Sequence, residues 1–227
     1  MKADFFSSLK TPVNFYLLRH GQSEGNAGKV MQGREEFPLS EEGRLQAAAR
    51  GRCLKTILAA SGNTGKTLLF SSPLSRARET AEIIARETSV SAPLCRNELL
   101  EMSLGIWSGK IFDQVRKEDA ALWDNFAVRS WDAIPGAESS SALYERALLA
   151  WAMMRDAAIE QKADKVIAIS HGGLLQWLIK TTMQNRSWFP LFPTSNCGLS
   201  KLFVEPRGQG VYLFWEEINS PVPSIGA

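Results

Sequence analysis

Short runs of consecutive apolar residues alternate along this chain with longer stretches in which apolar positions recur every three or four residues. Val13–Leu18 (VNFYLL), Thr67–Phe70 (TLLF) and Lys165–Ser170 (KVIAIS) are runs of the first kind. They are too short for stable helices and each stops at a polar or glycine-bearing segment, so they predict buried strands. Between them lie helical patterns. Ser40 is a plausible N-cap, followed by Glu41 and Glu42, where the helix dipole favours acids. Leu45, Ala48, Ala49 and Ile57 carry that helix to about Ala60, and Gly62-Asn63-Thr64-Gly65 ends it. A second helix is expected from a Ser75 cap to about Glu87, with Ala77, Ala81 and Ile84 on one face. Residues 91–111 look irregular, with a short strand near Leu94, and Phe112 to Phe126 is helical in composition. Glu138 to Gln161 predicts a long helix with Leu143, Ala147, Trp151, Met154 and Ala158 on one stripe. Leu174 to Met183 predicts another. Cys197–Val204 and Val211–Glu217 read as a strand pair turning at Pro206-Arg207-Gly208.

Strands alternating with helices predict an α/β fold with a mainly parallel sheet and an antiparallel element late in the chain. Residues 1–12 read as an N-terminal extension and 13–220 as a single domain, since no repeat, linker or low-complexity tract divides them.

Composition narrows the function classes. The 26 Lys and Arg nearly balance 24 Asp and Glu, a formal charge of +2. A nucleic-acid or anionic-membrane partner would call for a larger basic excess, so neither is expected. The apolar run from Ala147 to Met154 is far short of a membrane span, and the N-terminal residues lack the apolar core of a signal peptide. Cys53, Cys95 and Cys197 form no CxxC pair and are odd in number, which fits free thiols in a reducing compartment. The chain is expected to be soluble and cytoplasmic.

Only two histidines occur, His20 and His171, and each follows the end of a predicted strand and precedes glycine. Ligands in open α/β sheets sit beyond the carboxyl ends of strands, so topology can unite residues that the sequence separates. Arg19 directly precedes His20. Arg76 and Arg78 stand in SSPLSRARET, at the start of a helix, where a guanidinium and backbone N–H groups suit a phosphate. Arg78 reads better as a solvated charge. Glu101 lies in a glycine-bearing loop, LLEMSLGIWSG. Two imidazoles, two arginines and a carboxylate suit phosphoryl transfer through a covalent histidine. One neutral imidazole attacks phosphorus, the cations hold the equatorial oxygens, and the carboxyl group protonates the leaving oxygen. A two-histidine metal site competes, but neither histidine has an HxH or HExxH partner.

Six segments then carry a resemblance: LLRHGQSEGN (17–26), QGREEFPLSEEGRLQA (32–47), SSPLSRARET (71–80), LLEMSLGIWSGK (99–110), PGAES (135–139) and ISHGG (169–173). The chain resembles the histidine phosphatase superfamily in its phosphoglycerate-mutase-like branch. The resemblance implies a three-layer α/β/α domain and no cofactor or metal. It implies His20 as nucleophile, a phosphate pocket from Arg19, Arg76 and His171 with Gly172 beside it, and Glu101 as proton donor and acceptor. Asn26 matches a polar position that reaches the phosphate, and Ser23 and Gln32 match loop positions near the site. Trp107-Ser108-Gly109 and Pro135-Gly136-Ala137 depart slightly from the family's commoner Trp-Glu-Gly and Pro-Gly-Gly. The phytase-like branch carries an arginine where Ser23 stands and an acid where Gly172 stands, so it is not favoured.

Three activities fit that resemblance: a phosphomonoesterase, a phosphoglycerate mutase, and a phospho-ligand-binding module without catalysis. The five catalytic positions are intact, which disfavours the third. Mutases of the family carry a paired-arginine motif after the glutamate. Between Gly109 and Pro135 this chain has Lys110, Arg116, Lys117 and Arg129 but no such pair. The favoured reading is a phosphatase acting on a small phosphorylated metabolite. Most of the aromatic residues of 106–135 are expected to pack against the sheet, and some to line the leaving-group pocket.

Overall fold

No side chain from Phe15 to Leu18 reaches water, although the run has no break in its apolar character. A strand of this kind needs cover on both faces, and the computed structural model, which describes residues 4–60, 65–208 and 210–222, supplies it. The strands in chain order are β1 (Val13–Arg19), β2 (Lys66–Ser71), β3 (Leu94–Cys95), β4 (Ala163–Ser170), β5 (Leu199–Arg207) and β6 (Gly210–Ser220). They form one sheet in the order β3-β2-β4-β1-β5-β6. β1, β2, β3 and β4 run parallel, whereas β5 is antiparallel to both β1 and β6.

The helices are α1 (Glu24–Ala27), α2 (Glu41–Ala60), α3 (Ser75–Thr88), α4 (Phe112–Glu118), α5 (Ala120–Arg129), α6 (Ser140–Glu160) and α7 (Gly172–Thr182). Strand side chains alternate between two cores. Phe15, Leu17, Phe70 and Val166 join the core with α6 and α7, through Leu143, Ala147, Trp151, Met154 and Ala158 of the expected stripe. Tyr16, Leu18, Leu69 and Ile167 join the one with α2 and α3. The result is helix, sheet, helix, with a mainly parallel sheet and a late antiparallel pair. Among the described residues no helix is long and apolar enough to cross a membrane, and the three cysteines are unpaired.

Four local expectations need revision. Ser75 does not cap α3: the cap position is Leu74, and the Ser75 hydroxyl bonds the Glu36 carboxylate instead. The helix expected over 112–126 breaks at Asp119, whose φ of −142° and ψ of 84° leave the helical region. Its carboxylate accepts from the Leu122 N–H and starts a second helix. Pro206 is not in the hairpin turn but within β5, opposite Val211. The β1 pairing ends at Val204, so Pro206 lies where β5 has a partner on one side only and a missing N–H costs little. Finally, the described part of the 1–12 segment is built into the core. Phe6 is 1% exposed and its ring lies 5.6 Å from Trp151 and 5.7 Å from Phe15. The turn expected at 62–65 falls largely on residues outside those described.

Phe6→Ala tests that packing. Emptying an aromatic site in a closed core costs about 3–5 kcal/mol. Urea unfolding of the variant should show a loss of that size, and a loss below about 1 kcal/mol would mean that the segment is dispensable.

Candidate active site

β1 and β4 are parallel neighbours whose register pairs Arg19 with Ser170. The next residue on each strand is a histidine. His20 and His171 therefore leave the sheet side by side, with ring centroids 5.0 Å apart. The chain leaving β1 crosses to β2 on one side, and the chain leaving β4 passes through α7 to β5 on the other. Strand order reverses between them, which is where open α/β sheets form a crevice.

Backbone contacts fix the first imidazole. His20 N–H donates to the Ser170 carbonyl at 3.0 Å, and Asn196 Nδ2 donates to the His20 carbonyl at 3.1 Å. His20 Nδ1 lies 2.6 Å from the Gly21 carbonyl oxygen. A carbonyl only accepts, so Nδ1 carries the proton and Nε2 presents a lone pair. Burial first, then the charges of Arg19 and Arg76, hold the His20 pKa well below the ordinary value of 6.5. Gly21 is required by close approach: a Cβ there would lie 2.4 Å from the Gly43 carbonyl oxygen at the start of α2. His171 is fully buried, and neither ring nitrogen has a hydrogen-bond partner. Burial, then His20 and the arginines, depress its pKa in the same direction.

Each arginine is oriented by carbonyls. Arg19 Nη1 donates to Thr194 O at 2.8 Å. Arg76 Nη1 and Nη2 donate to Glu35 O at 2.8 Å and Gly33 O at 2.7 Å. The Nε of each is buried without a partner. An unsatisfied buried polar group typically costs about 1–3 kcal/mol, and several in one place point to a ligand that bonds them. Burial lowers both arginine pKa values and Glu101 opposes the shift. Guanidinium starts so high that both remain cations at neutral pH.

Glu101 arrives from an irregular segment between two 3₁₀ turns, Asn97–Leu99 and Gly105–Trp107. Its Oε1 accepts from the N–H groups of Met102 at 2.8 Å and Leu174 at 3.3 Å, and its Oε2 from Gly173 N–H at 3.2 Å. Gly173 and Leu174 belong to the first turn of α7, whose cap residue His171 makes no side-chain cap. Glu101 thus satisfies that helix end from another segment. Gly173 permits it, since a Cβ there would sit 2.4 Å from Oε1. Behind the carboxylate, Arg146 Nη1 donates to the carbonyls of Leu100 at 2.6 Å and Glu98 at 3.3 Å, and Arg34 Nε to that of Glu101 at 2.9 Å. Both arginines pair with Glu138, at 2.7 and 3.0 Å. Burial alone would raise the Glu138 carboxyl, but the hydrogen bonds and charge of Arg146, with Arg34 and Ser103 N–H, hold it below the usual range.

A cavity of about 260 Å³ opens at this point, and Arg19, His20, Asn26, Gln32, Arg76, Glu101 and Gly172 line it. His171, expected in the phosphate pocket, does not line it: it is fully buried against His20, the ring centroids 5.0 Å apart. Ser23, expected to meet the ligand, does not line the cavity and is fully buried. It caps α1, accepting from Asn26 N–H at 3.2 Å, and its hydroxyl lies 2.8 Å from Gln32 Oε1. Its role is to hold Asn26 and Gln32. Of the aromatic residues in 106–135, Trp131 alone lines the cavity, while Trp107, Trp123 and Phe126 pack on one another. Glu98 does not line it either. Among the described residues no group of three or more His, Cys, Asp or Glu is placed to hold a metal ion.

Sequence reasoning missed Thr194 and Asn196, which hold Arg19, the His20 carbonyl and, at 3.2 Å, Asn26 Oδ1. Their loop is stapled to α7. Lys180 Nζ donates to the carbonyls of Ser187, Trp188 and Pro190, and Gln176 bonds both backbone groups of Phe192. A signal existed: a strand antiparallel to β1 must begin at the edge where β1 ends.

The description "Histidine phosphatase superfamily (branch 1)" matches residues 15–216 of the chain. The chain is 28% identical over 192 residues to the probable phosphoglycerate mutase GpmB of Salmonella paratyphi C, covering 84% of each. Among solved structures it is similar to mycobacterial hydrolase 1, with a TM-score of 0.77, 25% identity, and 92% and 99% of the two chains covered. It is also similar to a mycobacterial glucosyl-3-phosphoglycerate phosphatase in complex with VO3, with a TM-score of 0.73, 25% identity, and 92% and 99% covered.

With only two histidines in the chain, NMR can follow both imidazoles without ambiguity. Their depressed pKa values mean that neither should titrate near 6.5, and His20 should show the Nδ1–H tautomer. The sign for stability follows. Below 6.5 the unfolded chain takes up protons that the folded protein refuses, so stability should fall as pH drops from 7 toward 5, with a slope approaching about two protons per molecule. An imidazole titrating with a midpoint at 6.5 in the folded protein would contradict this.

Proposed function

The chain belongs to the histidine phosphatase superfamily, branch 1, and from that premise we propose that it is a phosphomonoesterase working through a phosphohistidine on His20. One observation carries the reading. A neutral imidazole whose Nδ1–H donates to Gly21 O faces the same cavity as two guanidinium cations and one carboxyl group. His20 Nε2 attacks phosphorus in line, forming the N–P bond as the ester P–O bond breaks. Glu101, as the acid, gives its proton to the departing oxygen. Arg19 and Arg76, which line the cavity, hold the equatorial oxygens, and their unpartnered Nε groups are available for it, while His171 packs against His20 with ring nitrogens that no protein group bonds. Glu101, now a carboxylate, takes a proton from water as that water attacks phosphorus. The N–P bond breaks and phosphate leaves.

The name carried by the GpmB relatives favours a second reading, a phosphoglycerate mutase. That reaction handles a substrate with a further carboxylate. The arginines lining the cavity are Arg19 and Arg76, both assigned to the phosphoryl group, which supports hydrolysis over transfer back to glycerate.

His20→Ala should abolish turnover without loss of folding. A denaturing alkaline quench during turnover should trap an acid-labile, base-stable phosphoryl adduct on the wild type, and equal labelling of the variant would remove His20 from the role.

Glu101→Gln should lower kcat/KM about 10²–10⁴-fold for an alkyl phosphate and much less for p-nitrophenyl phosphate, whose leaving group needs no proton. Equal losses would mean that Glu101 is not the acid. Leaving-group dependence in Glu98→Gln instead would name the wrong glutamate.

A further inference from the structure

The cavity is chemically divided. Its charged lining groups, Arg19, Arg76 and Glu101, belong with His20 to the phosphoryl end. The loop segments that line it add the apolar side chains of Val30, Met31, Met102, Leu104 and Trp131, together with the neutral polar groups of Asn26, Gln32 and Thr194. The five apolar residues come from segments that are tied to one another. Val30 bridges to Ile111 and Leu104 to Ala137, and Met31 exchanges backbone hydrogen bonds of 2.8 Å with Lys110 and Gly109. Met102 and Leu104 are buried in the main core, and Trp131 packs edge-on against Trp107 at 5.8 Å. The apolar side is therefore a fixed wall rather than a set of loose loop residues.

No cation lines that wall. Arg34 bonds the Glu101 carbonyl through its Nε, but it lies outside the cavity lining and its Nη2 is committed to Glu138. Lys110, next to Met31 through the backbone, pairs with Glu118 at 3.8 Å. A second anionic group on a substrate would find apolar side chains, neutral amides and the Glu101 carboxyl, but no cation beyond Arg19 and Arg76. A charge taken from water into such surroundings without a partner is costly, whereas each methylene buried there is favourable.

We propose that the substrates are monoesters of uncharged alcohols with an apolar body, which lies against the Val30–Met31–Met102–Leu104–Trp131 wall while the phosphoryl group takes the arginines. The substrate class rests on the hydrolase reading, but its recognition does not require turnover. Phosphonates give a probe that binds without reacting.

Calorimetric titration of the full chain with methyl-, butyl- and hexylphosphonate should show affinity rising with length, by up to about fourfold per methylene buried. 5-Carboxypentylphosphonate, of nearly the same length as the hexyl compound, should bind roughly tenfold or more weakly, as an unpaired charge against an apolar wall requires. Val30→Lys puts a cation into the wall at a half-buried position that a lysine stem can share. It should reverse the order of the last two ligands. Equal affinity along the alkyl series, or tighter binding of the carboxylate by the wild type, overturns the proposal. Rising affinity with length, in a protein that releases no phosphate from hexyl phosphate, would support the apolar site and overturn the hydrolase reading instead.

Discussion

The parallel pairing of β1 with β4 is the contact on which the site depends. Six consecutive register pairs, from Asn14–Lys165 to Arg19–Ser170, fix how far each strand extends before it leaves the sheet. Because both histidines are the next residue, one register sets their separation. A slip of one residue on either strand would turn every side chain to the opposite core and move one imidazole by a residue's rise. The two-core burial of β1 and β4 makes that slip prohibitive, since Phe15 and Tyr16 face different helix layers. Packing energy of the fold is thus what holds a 5.0 Å spacing between two rings.

That spacing gathers unfavourable features in a small volume. Two arginines, two imidazoles and several buried nitrogens without partners all work against folding. The surrounding structure compensates with backbone carbonyls. Gly33, Glu35 and Thr194 orient the arginines, and Gly21 orients His20. These carbonyls come from loops, so the loops themselves must be held. Ser23 does this for Asn26 and Gln32, and Lys180 and Gln176 do it for the segment that presents Thr194 and Asn196.

How much of this is legible in the sequence follows the same division. The apolar runs ending at Arg19-His20 and Ser170-His171 expose the strands, their ends and hence the two histidines of the site, because period and punctuation are local signals. Arg76 and Glu101 are legible through the family motifs. Ser23 illustrates the limit: its motif position marks proximity to the site, but whether its hydroxyl faces the cavity or Asn26 depends on the turn that α1 makes. Asp119 is an acid inside a helical composition, and only its own capping bond shows the break. Phe6 looked peripheral because its partners, Phe15 and Trp151, lie far along the chain, and no local pattern reports such contacts. Thr194 and Asn196 show no local pattern either, and only the antiparallel pairing of β5 with β1 places their loop at the site.

The position of Glu101, the proposed acid, has a geometric cause. In-line displacement places the attacking nitrogen and the leaving oxygen on opposite sides of phosphorus. Strand ends supply one side only, so a group that serves the leaving oxygen has to come from a wall that rises beyond the sheet. Glu101 comes from such a wall, on an irregular segment that has no ladder of its own to hold it. Its placement is bought by two constraints from rigid elements: the first turn of α7, whose N–H groups it accepts, and Arg146 of α6, which grips the carbonyls of Glu98 and Leu100. Glu138 and Arg34 close the arrangement by joining the Glu101 backbone to the same arginine. The helices that bury β1 and β4 therefore also position Glu101. One packing arrangement sets both His20 and Glu101, and neither can shift without disturbing the core that fixes the other.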